Sequence, residues 1–337
     1  MNDLRVAVLG AGGAAQVVHL PILARLRGVQ VVGLVDPDRR KAATIGERFG
    51  VPEVADDLAS LAPGEPLDVV VVCTPNGAHE EGVLAALERG AHVLCERPLT
   101  VSSESARRLV DAAADAGRQL MVANNHRYRH DFRLIRQFVA SGELGDAFFV
   151  RSSWMNRRSR RPRRGWRTDA KYAGGGVLMD LGAQGLDLAL WSVGYPDIRQ
   201  VTCRMAGDRG AETSAFMQIA SERVTLHIDV TWELIDDHDQ HELRIVGTEG
   251  SATTFPLRVH RRLETGITRV TPPISRSLSA LYKDSYRQEW AYFLRIVRGE
   301  APIEAETRQI ALMRIVEACY SSADSGAQVT LDGGSRR

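Results

Sequence analysis

Cysteine, lysine and aromatic residues are all scarce in this chain. Four cysteines occur among 337 residues, too far apart for a CxxC redox or zinc motif, so we predict neither a disulfide scaffold nor a metal site. Such usage is typical of a reducing, cytoplasmic setting. Among 43 basic residues only Lys41, Lys171 and Lys283 are lysines, which limits the amine chemistry available to the protein.

The chain also lacks a long apolar run and an excess of either charge. No stretch approaches the roughly 18 apolar residues of a membrane span, and Asp3 and Arg5 stand where a leader would begin, so we expect neither anchor nor targeting segment. A formal net charge of +1 gives no reason to expect a nucleic-acid or membrane partner. With 44% hydrophobic residues, the composition is that of a globular protein, and the length favours two domains.

The first 122 residues alternate short, nearly continuous apolar runs with helical segments, a pattern typical of βαβ units. The predicted strands are 5–9, 29–35, 68–73, 92–95 and 119–122. The predicted helices are 39–49, 78–89 and 103–116. We therefore predict an α/β fold whose first domain, residues 1–122, is a doubly wound parallel sheet of the Rossmann type.

Residues 123–337 have a different pattern, with longer strands of alternating polarity. In 224–232 the apolar side chains recur at every second position, which indicates a sheet buried on one face. Strands at 147–154, 200–204 and 241–246 are expected beside it, with helices at 131–140, 286–297 and 310–320. We predict an α+β domain with a large, open, mainly antiparallel sheet, in which Tyr282, Tyr286 and Trp290 belong to the helix core.

Seven arginines stand between Arg157 and Arg167, where Pro162 and Gly165 exclude a helix. We expect an exposed loop there. It is either a solvated segment or a lid that recognises an anionic substrate.

A glycine-rich turn follows the first predicted strand. Residues 10–15 read Gly-Ala-Gly-Gly-Ala-Ala, the G-x-G-x-x-G/A pattern of dinucleotide-binding sites. Gly10 permits the tight turn, Gly12 lets the backbone approach a pyrophosphate, and Ala15 keeps helix and strand close. Gly13 and Ala14 complete the turn, whose following helix offers N–H groups to the anion.

Asp36 ends the second predicted strand, 21 residues after Ala15. A carboxylate there accepts hydrogen bonds from the adenosine ribose hydroxyls and repels a 2′-phosphate. The sequence thus predicts NAD as the cofactor. NADP is less favoured, although Arg39 and Arg40 could accommodate its phosphate.

Five stretches, considered together, resemble the glucose-fructose oxidoreductase, inositol dehydrogenase and rhizopine-catabolism (Gfo/Idh/MocA) family over nearly the whole chain. They are the glycine turn with His19-Leu20-Pro21, Cys73-Thr74-Pro75-Asn76 with His79, Cys95-Glu96-Arg97-Pro98-Leu99, Asn125-His126-Arg127-Tyr128, and Gly174-Gly175-Gly176 with Asp180 and Asp187. The resemblance implies a nicotinamide-dependent enzyme that oxidises or reduces sugars and cyclitols. It also implies a second domain, residues 123–337, that binds substrate and builds homodimers or homotetramers.

The same resemblance assigns cofactor contacts beyond the glycine turn. Thr74, Pro75 and Asn76 would lie along the nicotinamide half, at the carboxyl end of a strand, where ligands of doubly wound sheets bind. His79 is placed with them, or shapes the turn. Glu96 and Arg97 would also lie at the cofactor.

The chain departs from the family pattern at two positions. The usual Glu-Lys-Pro lysine, credited with proton handling, is Arg97 here, and a histidine expected at position 184 is Gln184. Arginine stays protonated and glutamine does not titrate, so both can only hydrogen-bond. General acid-base assistance is worth about 10²- to 10⁴-fold in rate, so another group must act in their place.

Several groups are candidates for that role or for substrate contact, and each has a purely structural alternative. Asp180 is the candidate base, or only the ion-pair partner of Arg97. His126 is a proton donor or a hydrogen-bonded core imidazole. Arg127 and Tyr128 are expected to face the substrate. Further along the chain, Lys171 and Tyr172 are candidates as well, although Lys171 is equally a surface lysine.

Three functions remain open on the sequence. The first is an NAD(H)-dependent oxidoreductase of a sugar, cyclitol or related polyol, possibly anionic. The second is a lyase or glycosidase that retains NAD and shows no net redox change. The third is a non-catalytic NAD-binding sensor or subunit, which the loss of two titratable positions would permit.

Overall fold

The computed structural model describes residues 3–61, 65–159, 165–207, 212–271, 277–302 and 306–332. The chain divides into two compact units. The first unit comprises the described parts of Met1–Ala123 together with Tyr286–Ala311, and the second comprises those of Asn124–Ser285 and Leu312–Arg337. Residues 160–164 of the arginine-rich segment fall outside the described parts. Whether this segment is a solvated loop or a lid over an anionic substrate therefore stays a prediction.

Six strands of the first unit form a parallel sheet. They are β1 (Leu4–Leu9), β2 (Val29–Val35), β3 (Glu53–Ala55), β4 (Val69–Val72), β5 (His92–Glu96) and β6 (Leu120–Ala123). Their spatial order is β3-β2-β1-β4-β5-β6, which reverses direction between β1 and β4. Ligands of such sheets bind in the crevice outside the strand carboxyl ends at this point of reversal.

Helices connect these strands. They are α1 (Leu20–Leu23), α2 (Arg39–Phe49), α3 (His79–Glu88) and α4 (Ser103–Asp115), and a π-helical turn, Ala15–His19, leads into α1. Asp38 caps α2 by accepting the Lys41 N–H at 3.0 Å, and Gly50 ends that helix in the left-handed region at φ 66°. The predicted Rossmann architecture is confirmed.

The return of Tyr286–Ala311 to the first unit is a feature that the sequence did not reveal. Trp290 and Phe293 are completely buried there, in the same core cluster as Val6 and Leu34. The segment belongs to α8 (Leu278–Val297), whose large side chains were expected to pack in a core of the second domain. The predicted domain boundary at residues 122/123 lies close to the point where the chain first leaves the first unit, after Ala123. The prediction did not include the later return of the chain to that unit.

A nine-stranded sheet forms the centre of the second unit, in the order β14-β13-β12-β11-β7-β10-β9-β8-β15. Its strands are β7 (Ala147–Arg157), β8 (Ile198–Ala206), β9 (Ser214–Ser221), β10 (Thr225–Leu234), β11 (Gln240–Gly247), β12 (Gly250–Thr254), β13 (Leu257–Leu263), β14 (Gly266–Arg269) and β15 (Val329–Thr330). All neighbouring pairs are antiparallel except β7 with β10, which run parallel. The predicted large, mainly antiparallel sheet is confirmed.

The remaining helices are α5 (His130–Ala140), α6 (Ala170–Ala173), α7 (Ala183–Ser192) and α9 (Thr307–Ser325). Every residue of α7 is buried. Gly185 makes its close packing on the sheet possible, because a Cβ atom there would already lie 3.1 Å from Ser152 Oγ on β7. Within the described parts of the chain, no helix combines the length and apolar composition that crossing a bilayer requires.

Candidate functional site

The glycine turn after β1 can accept only glycine at its first position. Gly10 has φ +99°, and a Cβ atom there would lie 2.7 Å from the carbonyl carbon and oxygen of Cys73. Its N–H donates to Val35 O at 2.7 Å, and the Cys73 N–H donates to Leu9 O at 2.7 Å. The turn is therefore pressed between the ends of β2 and β4, at the point where the strand order reverses.

The next two glycines leave open space beside the backbone. A Cβ atom at Gly12 would have Cys73 O at 3.8 Å as its nearest neighbour, and one at Gly13 would meet nothing within 4 Å. Ala14 is partly buried, whereas Ala15 is fully buried in the core. The turn is thus tightly packed at Gly10, where it meets Cys73, and its backbone is uncovered at Gly12 and Gly13. A pyrophosphate group requires such an accessible backbone.

Asp36 lies at the end of β2 and is 7% exposed. Its Oδ2 accepts the Ala11 N–H at 2.8 Å, so the carboxylate holds the glycine turn. Its Oδ1 accepts the Asp38 N–H at 3.0 Å. The ammonium group of Lys41 also lies 2.6 Å from Oδ2. Sequence reasoning did not assign Lys41, although its position in the first turn of α2, five residues after Asp36, was a usable signal.

Thr74, Pro75 and Asn76 follow β4 directly. The Thr74 hydroxyl oxygen is buried and has no hydrogen-bond partner in the described structure, whereas Asn76 is 7% exposed and lies in a short 3₁₀ turn, Asn76–Ala78. An orphaned buried hydroxyl is costly unless a ligand satisfies it. This hydroxyl follows the strand that packs on Gly10, so it fits a cofactor that runs from the glycine turn along the carboxyl ends of the strands.

His79 connects this turn to the segment after β5. Its ring nitrogens lie 2.8 Å from Pro98 O and 3.0 Å from Thr74 O, and the side chain is 1% exposed. Burial lowers the pKa of His79, against the two carbonyl contacts that act to raise it. The imidazole therefore joins two backbone segments, and its role at the cofactor stays a prediction.

Glu96, at the end of β5, contacts His19, a residue to which the sequence analysis assigned no role of its own. Its Oε1 lies 2.9 Å from Nε2 of His19, whose Nδ1 accepts the indole N–H of Trp290 at 3.1 Å. Its Oε2 accepts the Arg97 N–H at 3.3 Å. Burial acts to raise the pKa of Glu96, but the His19 hydrogen bond and the charge of Arg97 outweigh it and lower that pKa.

The protonation state of His19 follows from these contacts. Burial lowers its pKa, while the charges of Cys73 and Glu96 and hydrogen bonds to both would together raise it to about 10. The Cys73 contribution requires a thiolate, yet burial raises the pKa of that thiol. The indole N–H of Trp290 also needs a free lone pair on Nδ1. His19 is therefore neutral and donates its Nε2 proton to Glu96.

In the second unit, His126 lies in an aromatic cluster. The ring centroids of Trp154 and Tyr282 are 4.6 and 5.7 Å from its own, and that of His241 is 6.4 Å away. His126 is 5% exposed, and the preceding Asn125 donates from Nδ2 to Ser285 Oγ at 3.0 Å. This segment, Asn125–Tyr128, is thus fixed by packing.

The neighbouring Arg127 forms a two-pronged ion pair. Its Nε donates to Oδ2 of Asp187 at 2.8 Å, and its Nη2 donates to Oδ1 of the same carboxylate. Its guanidinium carbon also lies 5.7 Å from the ring centroid of Tyr195. Both hydrogen bonds to Asp187 link the Asn125–Tyr128 segment to α7. Tyr128, the next residue, is partly buried. The arrangement orients this stretch of backbone.

Asp180 and Gln184 lie four residues apart, at the junction of a π-helical turn, Leu178–Gly182, with α7. Asp180 is partly buried, and Gln184 is 6% exposed. Lys171 and Tyr172 are exposed, and the Lys171 ammonium lies 5.4 Å from the Tyr172 ring centroid. Arg97 belongs to the first unit and Asp180 to the second, so their predicted pairing stays a prediction.

The Gly174-Gly175-Gly176 stretch before this turn is anchored by one carboxylate. Glu212 Oε1 accepts the N–H groups of Gly176 and Leu178 at 2.9 and 3.0 Å and the Tyr320 hydroxyl at 3.0 Å. Glu212 lies 36 residues after Gly176, and sequence reasoning assigned it no role. The anchor defines where the π-helical turn that carries Asp180 begins.

Known proteins match this chain along most of its length. Residues 4–124 match the oxidoreductase family with an NAD-binding Rossmann fold, GFO/IDH/MocA, and residues 132–253 match the C-terminal domain of the same family. D-Glucoside 3-dehydrogenase of Escherichia coli (strain K12) is 28% identical, over 98% of this chain and 98% of the relative. D-Xylose 1-dehydrogenase (NADP⁺) 2 of Haloferax volcanii is 30% identical, over 90% and 92%.

A solved structure agrees with these sequence matches. The crystal structure of GenD2 from gentamicin A biosynthesis, in complex with NAD, superposes with a TM-score of 0.85 at 26% identity, covering 98% of this chain and 97% of that one. The predicted family resemblance and the predicted oxidoreductase class are thereby confirmed. This chain, with its glycine turn, Asp36 and two-unit architecture, belongs to the GFO/IDH/MocA family of NAD-binding oxidoreductases.

Proposed function

We propose that the protein is an NAD(H)-dependent oxidoreductase that acts on a CH–OH group of a sugar, cyclitol or related polyol. The observation that carries the proposal is the fit of the first unit to a dinucleotide. Gly10 leaves no room for a side chain, Gly12 and Gly13 leave the backbone uncovered, and the Thr74 hydroxyl has no partner in the described structure. A dinucleotide bound on the turn would cover this backbone and could satisfy the Thr74 hydroxyl.

The residues of this unit divide between the two halves of the cofactor. Gly10, Gly12 and Gly13, with Ala14 and Ala15, would receive the pyrophosphate, and Asp36 would accept a ribose hydroxyl. Thr74, Pro75 and Asn76, with Glu96 and Arg97 nearby, would hold the nicotinamide half, while His79 supports their turn. When bound, the nicotinamide supplies hydride transfer, and the protein supplies orientation and electrostatics.

The proton is assigned to the chain's own side chains. Arg97 cannot accept a proton and Gln184 cannot titrate, so in the proposal both hold the substrate oxygen by hydrogen bonds. Asp180 accepts the hydroxyl proton, and His126 is the second candidate for proton transfer. Arg127, Tyr128, Lys171 and Tyr172 are proposed on the substrate side.

The substrate class rests on the relatives. Two proteins that match at least nine tenths of the chain are named as dehydrogenases of a D-glucoside and of D-xylose. NAD is preferred to NADP because a carboxylate, Asp36, stands where the ribose hydroxyls would lie. The name of the second relative specifies NADP⁺, so both cofactors belong in the test.

The test mixes purified protein with NAD⁺ or NADP⁺ and a panel of sugars, cyclitols and sugar phosphates, and follows the absorbance of the reduced nicotinamide. Substrate-dependent reduction supports the proposal. Product formation with catalytic NAD and no net reduction supports an NAD-retaining lyase or glycosidase instead. Cofactor binding without any turnover supports a non-catalytic sensor or subunit.

Variants then assign the proton-transfer groups. Asp180→Asn should lower the rate of hydride transfer by about 10²- to 10⁴-fold, while the NAD dissociation constant, measured by calorimetry, changes by less than about threefold. The double variant Arg97→Lys with Gln184→His should raise the rate if proton transfer limits it. For Lys171→Met, the exposed Lys283→Met is the matched control. Equal rates of hydride transfer in Lys171→Met and Lys283→Met would show that Lys171 has no role in the reaction.

We also propose assembly into homodimers or homotetramers, with the face of the nine-stranded sheet opposite α7 as the interface. Phe216 is 46% exposed on that face, beside Asp229, which pairs with Arg151 at 2.7 Å. A partner subunit on this face would cover the exposed Phe216 ring. Sedimentation should give a dimer or larger, and Phe216→Glu should shift it toward monomer. A monomeric wild-type protein would overturn the proposal.

A further inference from the structure

The Asp36 carboxylate has little capacity left for ribose hydroxyls. Oδ2 accepts the Ala11 N–H at 2.8 Å and contacts the Lys41 ammonium at 2.6 Å, and Oδ1 accepts the Asp38 N–H at 3.0 Å. An ionised carboxylate offers about four lone-pair positions, and three are occupied. One position remains for the first ribose hydroxyl, so the second ribose hydroxyl would have to compete with Lys41 for this carboxylate.

Lys41 differs from the two arginines that precede it. Its side chain is 39% exposed and reaches Asp36, whereas Arg39 is 68% exposed and lies 3.9 Å from the surface carboxylate of Asp56. Arg40 is exposed as well. The ammonium has three N–H donors, and Asp36 engages one side of it. Lys41 therefore combines a defined position with donors that remain available to an incoming anion.

The charge of Lys41 also changes what Asp36 does to a phosphate. A lone carboxylate repels a 2′-phosphate, but an ammonium 2.6 Å away cancels that charge locally and attracts the anion. Helix stability does not explain the cation, because cations in the first turn of a helix oppose its dipole. The pair is better explained as part of the cofactor site.

On these grounds, and resting on the proposed dinucleotide function, we propose that Lys41 is the residue that admits a 2′-phosphate. Asp36 alone would restrict the site to NAD. With Lys41 beside it, the site takes NADP as a second cofactor, the ammonium moving its free donors onto the phosphate while Asp36 keeps the glycine turn through the Ala11 N–H. Lys41 thus sets the ratio of the two affinities.

The test measures binding of cofactor fragments by calorimetry and needs no turnover. The two probes are adenosine 5′-diphosphate and its 2′-phosphorylated analogue. Lys41→Met removes the ammonium and keeps the aliphatic stem, and Arg48→Met, at an exposed position in the last turn of the same helix, is the matched control. Lys41→Met should weaken the 2′-phosphorylated probe by about tenfold or more, as expected for a lost charge-assisted hydrogen bond, and change the unphosphorylated probe by less than about threefold.

Two further results are expected. Arg48→Met should leave both affinities within about threefold of wild type, and Lys41→Arg should retain most of the affinity for the 2′-phosphorylated probe because the charge stays. Rising salt should weaken that probe more in the wild type than in Lys41→Met. A thermal melt of each variant verifies that the protein is folded.

The outcomes separate this inference from the proposed function. If neither probe binds wild-type protein, the dinucleotide site itself is wrong. If only the unphosphorylated probe binds, or if Lys41→Met weakens both probes equally, the site stands and the role of Lys41 is overturned.

Discussion

Tyr320 donates its hydroxyl proton to Oε1 of Glu212 at 3.0 Å, directly against the backbone of Gly175. A Cβ atom on Gly175 would lie 1.9 Å from that hydroxyl oxygen, and one on Gly176 would lie 2.1 Å from the carbonyl oxygen of Glu212. Burial, with Glu212 beside it, raises the pKa of Tyr320, so the phenol remains a donor. The glycine stretch is therefore required by what packs on it.

Substituting Gly175 by alanine tests this contact. We expect Gly175→Ala to lower the free energy of unfolding by about 1–3 kcal/mol, because the new methyl group displaces the phenol and the backbone holds φ +156°. Urea unfolding measures the change.

A double-mutant cycle with Tyr320→Phe separates the contact from backbone strain, which is the same in both backgrounds. Without the hydroxyl oxygen, Gly175→Ala should cost less than it does in the wild type, although the ring carbon Cζ at 2.9 Å still restrains the methyl group. Strict additivity of the two substitutions would contradict this account.

Features that depend on local geometry were predictable from the sequence. Gly10 is required by a positive φ and by the neighbouring strand, and both follow from a turn that joins a strand to a helix. Asp36 could be identified by its place at the end of β2. Helix α2, Arg39–Phe49, matches its predicted bounds because Asp38 and Gly50 supply cap signals at both ends.

Contacts between residues distant in sequence were not predictable. Trp290 donates to His19 across 271 positions of the chain, and no local periodicity encodes such a pair. Lys41 was overlooked because an ion pair at that position depends on side-chain conformation as well as spacing. The parallel pairing of β7 with β10 was also hidden, because a sheet buried on one face shows the same alternation in both orientations.

His241 should make the folded state sensitive to acid. Burial, together with the charge of Arg129, lowers its pKa to about 3, while Asp239 acts to raise it. The ring lies against Trp154 and His126, and Asn156 Oδ1 is 3.4 Å from Nε2. In the unfolded chain the imidazole takes up a proton near pH 6.5, which the folded protein resists until about pH 3.

The stability that neutral His241 confers is therefore present above about pH 6.5 and is lost as the pH falls toward 3. Between these two pH values, His241 lowers the free energy of unfolding by at most about 1.4 kcal/mol for each unit of falling pH. In His241→Gln, the free energy of unfolding should decrease less steeply with falling pH, because this contribution is absent. The exposed His238→Gln serves as the control. A slope in His241→Gln equal to that of the wild type would refute the assignment.

Trp290→Phe should change the protonation of His19. The substitution keeps an aromatic ring but removes the indole N–H that occupies Nδ1, so that nitrogen can take a proton beside the Glu96 carboxylate and the pKa of His19 rises. The loss of one buried hydrogen bond should cost about 1 kcal/mol of stability.

Nitrogen NMR of the imidazole distinguishes the two states at pH 7. Wild-type His19 should show one protonated and one unprotonated ring nitrogen, and the variant a larger imidazolium fraction. Tyr292→Phe, on the same helix but hydrogen-bonded to Pro302 O, should leave the His19 signals unchanged. Two protonated nitrogens in the wild type would show that the Trp290 donor does not control the ring.

A pair of alanine substitutions in the glycine turn tests the dinucleotide site most directly. Gly10→Ala would place a methyl group 2.7 Å from the Cys73 carbonyl at φ +99°, so either the turn or the end of β4 must move, and with it the Thr74 hydroxyl. We expect NAD binding to fall below detection by calorimetry. Gly13→Ala adds the same methyl group three residues later, where no atom lies within 4 Å. It should leave the fold intact and weaken NAD only as far as the methyl group meets the pyrophosphate. If both variants are folded and bind NAD as tightly as the wild type, the cofactor does not lie on this backbone.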